Sequence, residues 1–155
     1  MHENKKIDNF GPLLVTVARR WRLELDHQLT QAGLSDATWG PLFHLSGAKA
    51  PLTQKELAAC VGIDGSTLVR LLDSLEERQL VERHNDPADR RTRHIVITPA
   101  GKLLVVQIRK ELQRPEAQML EGLSPTDMAA MVKSFEKIQR NLLRLQADRS
   151  ASHAH

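Results

Sequence analysis

The stretch Thr53-Gln54-Lys55-Glu56-Leu57-Ala58-Ala59-Cys60-Val61-Gly62-Ile63-Asp64-Gly65-Ser66-Thr67-Leu68-Val69-Arg70-Leu71-Leu72 decides the fold class. Thr53 and Glu56 have the spacing of a capping box, in which the hydroxyl serves one free backbone N–H and the carboxylate reaches back to another. They open a short helix, Thr53 to about Val61, with Leu57, Ala58 and Val61 apolar, and Gly62 breaks it. Asp64 then caps a longer helix, to about Gln79, in which Leu68, Leu72 and Leu75 recur at helical spacing. Two helices joined by a tight turn containing glycine have the sequence shape of a helix-turn-helix.

Immediately downstream, Leu80-Val81-Glu82-Arg83-His84 and His94-Ile95-Val96-Ile97-Thr98 read as short strands. Between them lies the polar, turn-rich segment Asn85-Asp86-Pro87-Ala88-Asp89-Arg90-Arg91-Thr92-Arg93, so the pair predicts a β-hairpin with a long charged tip. Thr98-Pro99 supplies an N-cap and a proline at the first position of the next helix.

Helices flank this middle third on both sides. Phe10, Leu14, Val17, Trp21 and Leu25 form a stripe that Asn9 or Asp8 caps and Gly33 ends. A shorter helix after Ser35-Asp36 runs through Trp39, Leu42 and Phe43 to about Ser46-Gly47, with Pro41 early enough to be tolerated. A helix from Pro99 to about Glu121 carries Leu103, Leu104, Ile108 and Leu112; Pro115 inside it is expected to kink or split it. The last helix opens at Ser124-Pro125-Thr126-Asp127. Its Met128, Met131, Phe135, Ile138, Leu142 and Leu145 alternate steps of three and four, a heptad-like seam. The residues from Asp148 to His155 are small and polar and are expected to be disordered.

Composition agrees with a mainly helical α+β fold in one domain. Across 155 residues, 41% are hydrophobic but only 3% aromatic, with no Tyr, so the core is built from Leu, Val, Ile and Ala. The expected organisation is a helix-turn-helix lobe with its hairpin at about 35–98, flanking helices at about 8–32 and 99–147, the last with an apolar seam that one small domain would struggle to cover, and a tail at 148–155. The single cysteine excludes an internal disulfide framework and fits a reducing compartment. No apolar run approaches the roughly 20 residues that span a bilayer, and no apolar run follows the first six residues as a leader would require. The expectation is a cytoplasmic protein without membrane contact.

A formal net charge of +3 says little about partners, but its distribution says more. From Arg83 to His94 there are four arginines and two histidines against two aspartates, and the arginines at the tip cover no core. Such a cluster is a phosphate footprint, and an arginine on an extended loop enters the narrow A·T-rich minor groove. On the Asp64–Gln79 helix, the side chains left outside the leucine stripe include Ser66, Thr67, Val69 and Arg70. Short polar groups allow close approach to DNA, Val69 suits a thymine methyl, and Arg70 suits guanine O6/N7. Thr53, Gln54 and Lys55 offer free N–H groups and a cation to a phosphate.

These residues resemble the MarR family of winged-helix regulators, and most closely its SlyA-like branch. The resemblance is carried by Leu57–Ile63, by Ser66–Glu76 and by Gln79-Leu80-Val81-Glu82-Arg83. It continues through Asp86-Pro87-Ala88-Asp89-Arg90-Arg91 and closes on Ile97-Thr98-Pro99-Ala100-Gly101. It implies a homodimer on the double-stranded DNA of a palindromic operator, acting by default as a repressor. Ser66, Thr67 and Arg70 would be recognition contacts and Arg91 the minor-groove arginine. Asp89 would brace Arg91, and Arg90 and Arg93 would lie against phosphates. It further implies release by a small aromatic carboxylate, phenolic in many family members, held around Arg19, Trp39, Leu42, Phe43 and Arg70. Family members that sense peroxides carry a cysteine near the start of the first helix. This chain has none there, and Cys60, on a small-residue stretch, reads as packed rather than reactive.

Other classes find less support. No glycine-rich phosphate loop, nucleophile elbow, CxxC or HExxH is present, so neither an enzyme nor a cofactor is expected. A metal- or redox-responsive regulator of the same fold is the alternative, with His84 facing His94 across the hairpin, or His153 and His155 in the tail, as the histidines to watch. A protein-interaction module built on the terminal heptad helix is a third reading, distinguished by showing no salt-dependent binding to a duplex.

Overall fold

The computed structural model describes residues 8–34 and 38–152. They form six helices and three strands: α1 (Phe10–Gln31), α2 (Trp39–Gly47), β1 (Leu52–Thr53), α3 (Gln54–Val61), α4 (Gly65–Glu77), β2 (Val81–Asn85), β3 (Arg93–Ile97), α5 (Pro99–Met119) and α6 (Pro125–Ser152). The chain divides into two compact units, Met1–Glu116 and Ala117–His155. The mainly helical architecture with a small antiparallel sheet is as the sequence predicts. Among the described residues no helix is long and apolar enough to cross a membrane.

Local chemistry explains the boundaries of the first unit. The capping box at α3 is formed: Thr53 Oγ1 accepts from the Glu56 N–H at 3.1 Å, and Glu56 Oε2 accepts from the Thr53 N–H at 2.8 Å. Gly62 ends α3 in the left-handed region at φ 76°, where a Cβ would be strained. Asp64 Oδ1 accepts from the Thr67 N–H at 2.8 Å, and its Oδ2 accepts from the Thr67 hydroxyl at 2.7 Å, which starts α4. Asn9 stands at the head of α1 but makes no side-chain cap bond, because its own backbone is already helical. Ser35 and Asp36, the expected start of α2, lie outside the described residues.

The core gathers on the inner face of α4. Leu68, Leu72 and Leu75 are fully buried, and they pack with Leu42 and Leu45 of α2, Leu57 of α3 and Ile95 of β3. Each such leucine contributes about 1.5–3 kcal/mol by leaving water. The sheet has strand order β1-β3-β2, with Leu52 opposite Ile95 and Val81 opposite Ile97. The sequence predicts two of these strands. The third, β1, is two residues long, too short to show alternation, and it exists only because β3 offers it an edge.

Two features of the later helices bear on what the sequence leads one to expect. Pro115 is buried inside α5 without splitting it. A proline there removes one hydrogen bond to the Glu111 carbonyl, and the packed turns on either side carry the helix through. The tail expected to be disordered from Asp148 instead continues α6 to Ser152, since that segment holds no proline or glycine and its serines bond back to carbonyls four residues earlier. In the second unit α6 opens on Ser124, whose Oγ accepts from the Asp127 N–H at 3.1 Å while Asp127 Oδ2 accepts from the Ser124 N–H at 3.1 Å. No residue of α6 is buried within a single chain.

Candidate nucleic-acid interface

The start of α3, the outer face of α4 and the hairpin line one open concavity of about 760 Å³. Thr53, Gln54, Lys55 and Ala58 line it from β1 and α3, Gly65 and Val69 from α4, and Arg83, Arg91, Thr92 and Arg93 from the hairpin. Six residues predicted separately from the sequence (Thr53, Gln54, Lys55, Val69, Arg91 and Arg93) thus meet on one surface. Ser66, Thr67 and Arg70 are exposed on the same helix, and Arg90 is exposed at the hairpin tip. The Thr67 hydroxyl is spent on Asp64, so the free hydroxyl donor at this end of α4 is that of Ser66.

Hydrogen bonds to the backbone hold the wing tip in shape. Asp86 Oδ1 accepts from the Ala88 N–H at 2.7 Å, and Asp86 Oδ2 pairs with His94 Nε2 at 2.8 Å. The His94 hydrogen bond, followed by that of the Ala88 N–H, holds the Asp86 carboxyl below the usual carboxylate range. Asp89 Oδ1 accepts from the Arg91 N–H at 2.9 Å and Oδ2 from the Thr92 hydroxyl at 3.3 Å. Asp89 therefore holds Arg91 through its backbone N–H. That leaves the guanidinium groups of Arg90, Arg91 and Arg93 outside every ion pair seen among the described residues. Exposed cations with no internal partner are available to phosphate and to the minor groove.

Arg83 was missed by sequence reasoning as anything but one charge of the cluster. Its side chain is only 14% exposed, and it contacts Asp73 at 2.5 Å and Glu76 at 3.8 Å on α4. It also donates to the Val69 carbonyl at 3.4 Å. The signal was faint: two acids three residues apart on the outer face of α4 need a cation, but their partner is seven residues or more away in the chain.

A second cluster forms around Trp39 and Phe43. Their rings meet edge to face with centroids 5.6 Å apart. The Trp39 indole N–H donates to Asp26 Oδ1 at 2.7 Å. The guanidinium of Arg22 lies 5.4 Å from the Trp39 ring centre, and that of Arg109 lies 4.9 Å from the Phe43 ring centre. Of the effector residues implied by the resemblance, Trp39 and Phe43 come together and Leu42 is fully buried in the core beside them. Arg19 and Arg70 are exposed, and the cation–π contacts seen with these rings among the described residues come from other arginines. The guanidinium groups that lie over these rings are those of Arg22 and Arg109. Arg22 and Asp26 stand one helical turn apart on α1, which is the pattern that would have pointed to them.

The remaining expected sites resolve simply. His84 and His94 are register partners across the hairpin, yet each turns to its own acid, Glu82 at 2.9 Å and Asp86 at 2.8 Å. Among the described residues no three metal-ligating side chains converge, and His153 and His155 lie outside them. Cys60, expected to be packed, is exposed: α3 turns Leu57 inward and leaves Cys60 on its outer side.

Comparison with known proteins follows the same lines. A family model described as MarR family matches residues 32–92. The solved structure of a transcriptional regulator, PA3341, is 40% identical and covers 87% of this chain and 98% of its own, with a TM-score of 0.74. A MarR-family transcriptional regulator from Rhodococcus sp. RHA1 is 29% identical, covering 84% of this chain and 92% of that one, with a TM-score of 0.73. CouR from Rhodococcus jostii RHA1, solved bound to p-coumaroyl-CoA, is 27% identical, covering 84% of this chain and 91% of its own, with a TM-score of 0.70. With a helix-turn-helix, an unpaired arginine wing and these relatives, the chain belongs to the MarR family of winged-helix DNA-binding transcriptional regulators.

Proposed function

We propose that this regulator is a homodimeric repressor of the SlyA-like branch that acts in the cytoplasm on a palindromic operator. The observation that carries the reading is the concavity in which α3, α4 and the unpaired wing arginines face one partner. On this reading, Ser66 and Arg70 beside the concavity read the major groove, Arg91 enters the minor groove, and Lys55, Arg90 and Arg93 neutralise phosphates. Dimerisation is supported by α6, which buries nothing in one chain and leaves Phe135 48%, Leu142 53% and Leu145 53% exposed. Apolar faces of that extent are covered by a partner, and a symmetric pair reads a symmetric site.

The effector in this proposal is a small aromatic carboxylate bound beside Trp39 and Phe43. Two aromatic rings with a guanidinium over each suit a ring bearing an anionic group. CouR, solved bound to p-coumaroyl-CoA, supports the aromatic ring of such a ligand, while the two guanidinium groups support its free carboxylate. Selection of duplexes from a random pool by the purified protein tests the reading. Enrichment of an inverted repeat, and its release by aromatic but not aliphatic carboxylates, is expected. Enrichment of no sequence would refute it.

A further inference from the structure

The buried arginine of the wing sits where it can govern how the two DNA-reading parts are used together. Arg83 belongs to β2, opposite Ile95 of β3, and so is part of the hairpin that carries Arg91 and Arg93. Its guanidinium grips three successive positions on the outer face of α4: the Val69 carbonyl, Asp73 and Glu76. Val69 lines the DNA-facing concavity, and Arg70 follows it directly. The grip therefore starts on the turn of α4 that lines the concavity, at the Val69 carbonyl, and extends to Asp73 and Glu76 on the next two turns. Unlike its neighbours in the wing, Arg83 is committed internally, with its Nε shielded from solvent and its side chain 14% exposed.

We propose that Arg83 is a positioning residue that fixes the wing to α4, so that Arg91 reaches the minor groove only while α4 is seated in the major groove. This rests on the DNA-binding reading above. The alternative role is plain charge masking, in which Arg83 merely hides Asp73 and Glu76 from phosphates. The two differ in a measurable way. Masking is a long-range electrostatic effect and adds independently to the contribution of Arg91, whereas positioning makes the Arg91 contribution depend on Arg83.

A double-mutant cycle on the full-length protein, read by affinity for one duplex selected by the wild type, decides between them. In the wild-type background, Arg91→Ala is expected to weaken binding about ten- to a hundredfold. In an Arg83→Met background, which keeps an unbranched apolar stem, the same change is expected to cost less than about threefold, and hydroxyl-radical protection of the minor groove is lost before Arg91 is touched. Asp73→Ala, which removes the shortest contact and leaves the wing sequence intact, is expected to give the same loss of coupling, and it carries the test should Arg83→Met not fold. Equal costs of Arg91→Ala in all three backgrounds would overturn the proposal while leaving the DNA reading in place. An Arg91→Ala change that costs nothing even in the wild-type background would overturn both.

Discussion

Gly101 is the residue on which the join between the winged lobe and α5 depends. A Cβ placed there would stand 2.3 Å from the Leu80 carbonyl oxygen and 2.7 Å from Ile97 Cγ1. The oxygen is backbone, and it is already fixed by accepting from the Thr98 N–H at 3.1 Å. Thr98 itself is pinned, its hydroxyl donating to the Gln79 carbonyl at 2.7 Å and accepting from the Gly101 N–H at 3.1 Å. Gly101→Ala must therefore push α5 off the start of β2. Overpacking against backbone costs about 3 kcal/mol, at the upper end of the usual range. Weakening the Thr98–Leu80 bond adds about 1 kcal/mol, and the better helix propensity of alanine returns about 1. The net loss is about 3 kcal/mol, a fall in Tm of roughly 6–12 °C for a chain of this size. Calorimetry of both proteins at one fixed concentration checks it, because dimer stability varies with concentration. A Tm equal to or above that of the wild type would refute the close approach.

Other outcomes follow from single contacts. Hydrogen bonds from the Thr67 N–H and hydroxyl hold the Asp64 carboxyl below its ordinary 3.8. The stability this gives is present above that value and lost as pH falls through the lowered one. Asp64→Asn, which still caps α4, should thus be less stable near neutrality and lose its deficit below about pH 4 in urea titrations; a deficit unchanged down to about pH 2.5 would contradict this. Gln79 holds φ 58°, so Gln79→Gly should raise stability by about 1 kcal/mol, and a fall would show the strain to be compensated. Leu142→Glu should yield monomers by light scattering, and an intact dimer would displace the proposed seam.

Local chemistry made much of this fold legible before any coordinates. The capping pairs Thr53–Glu56 and Ser124–Asp127, the cap Asp64 and the turn Gly62 each act within four residues, and each stands where the sequence places it. The candidate interface was also legible, because α3, α4 and the hairpin are contiguous in the chain and their order fixes which side chains share a face. What escaped depends on distant partners. The strand β1 exists through Ile95, more than forty residues away. The cations on Trp39 and Phe43 come from Arg22 on α1 and Arg109 on α5. Arg83 looked like one more wing charge until its burial against Asp73 and Glu76 was seen. Cys60 was misplaced because a small-residue stretch does not show which of its sides faces the core.

The most direct test of the central claim is the affinity of the wild type and of Arg91→Ala for one selected duplex, measured across a series of salt concentrations. A regulator that grips phosphates with both wings loses affinity steeply as salt rises, with a slope of about −0.9 per neutralised phosphate. The account predicts such a slope for both proteins, with Arg91→Ala about ten- to a hundredfold weaker throughout. Binding that ignores salt, or two curves that coincide, would contradict it.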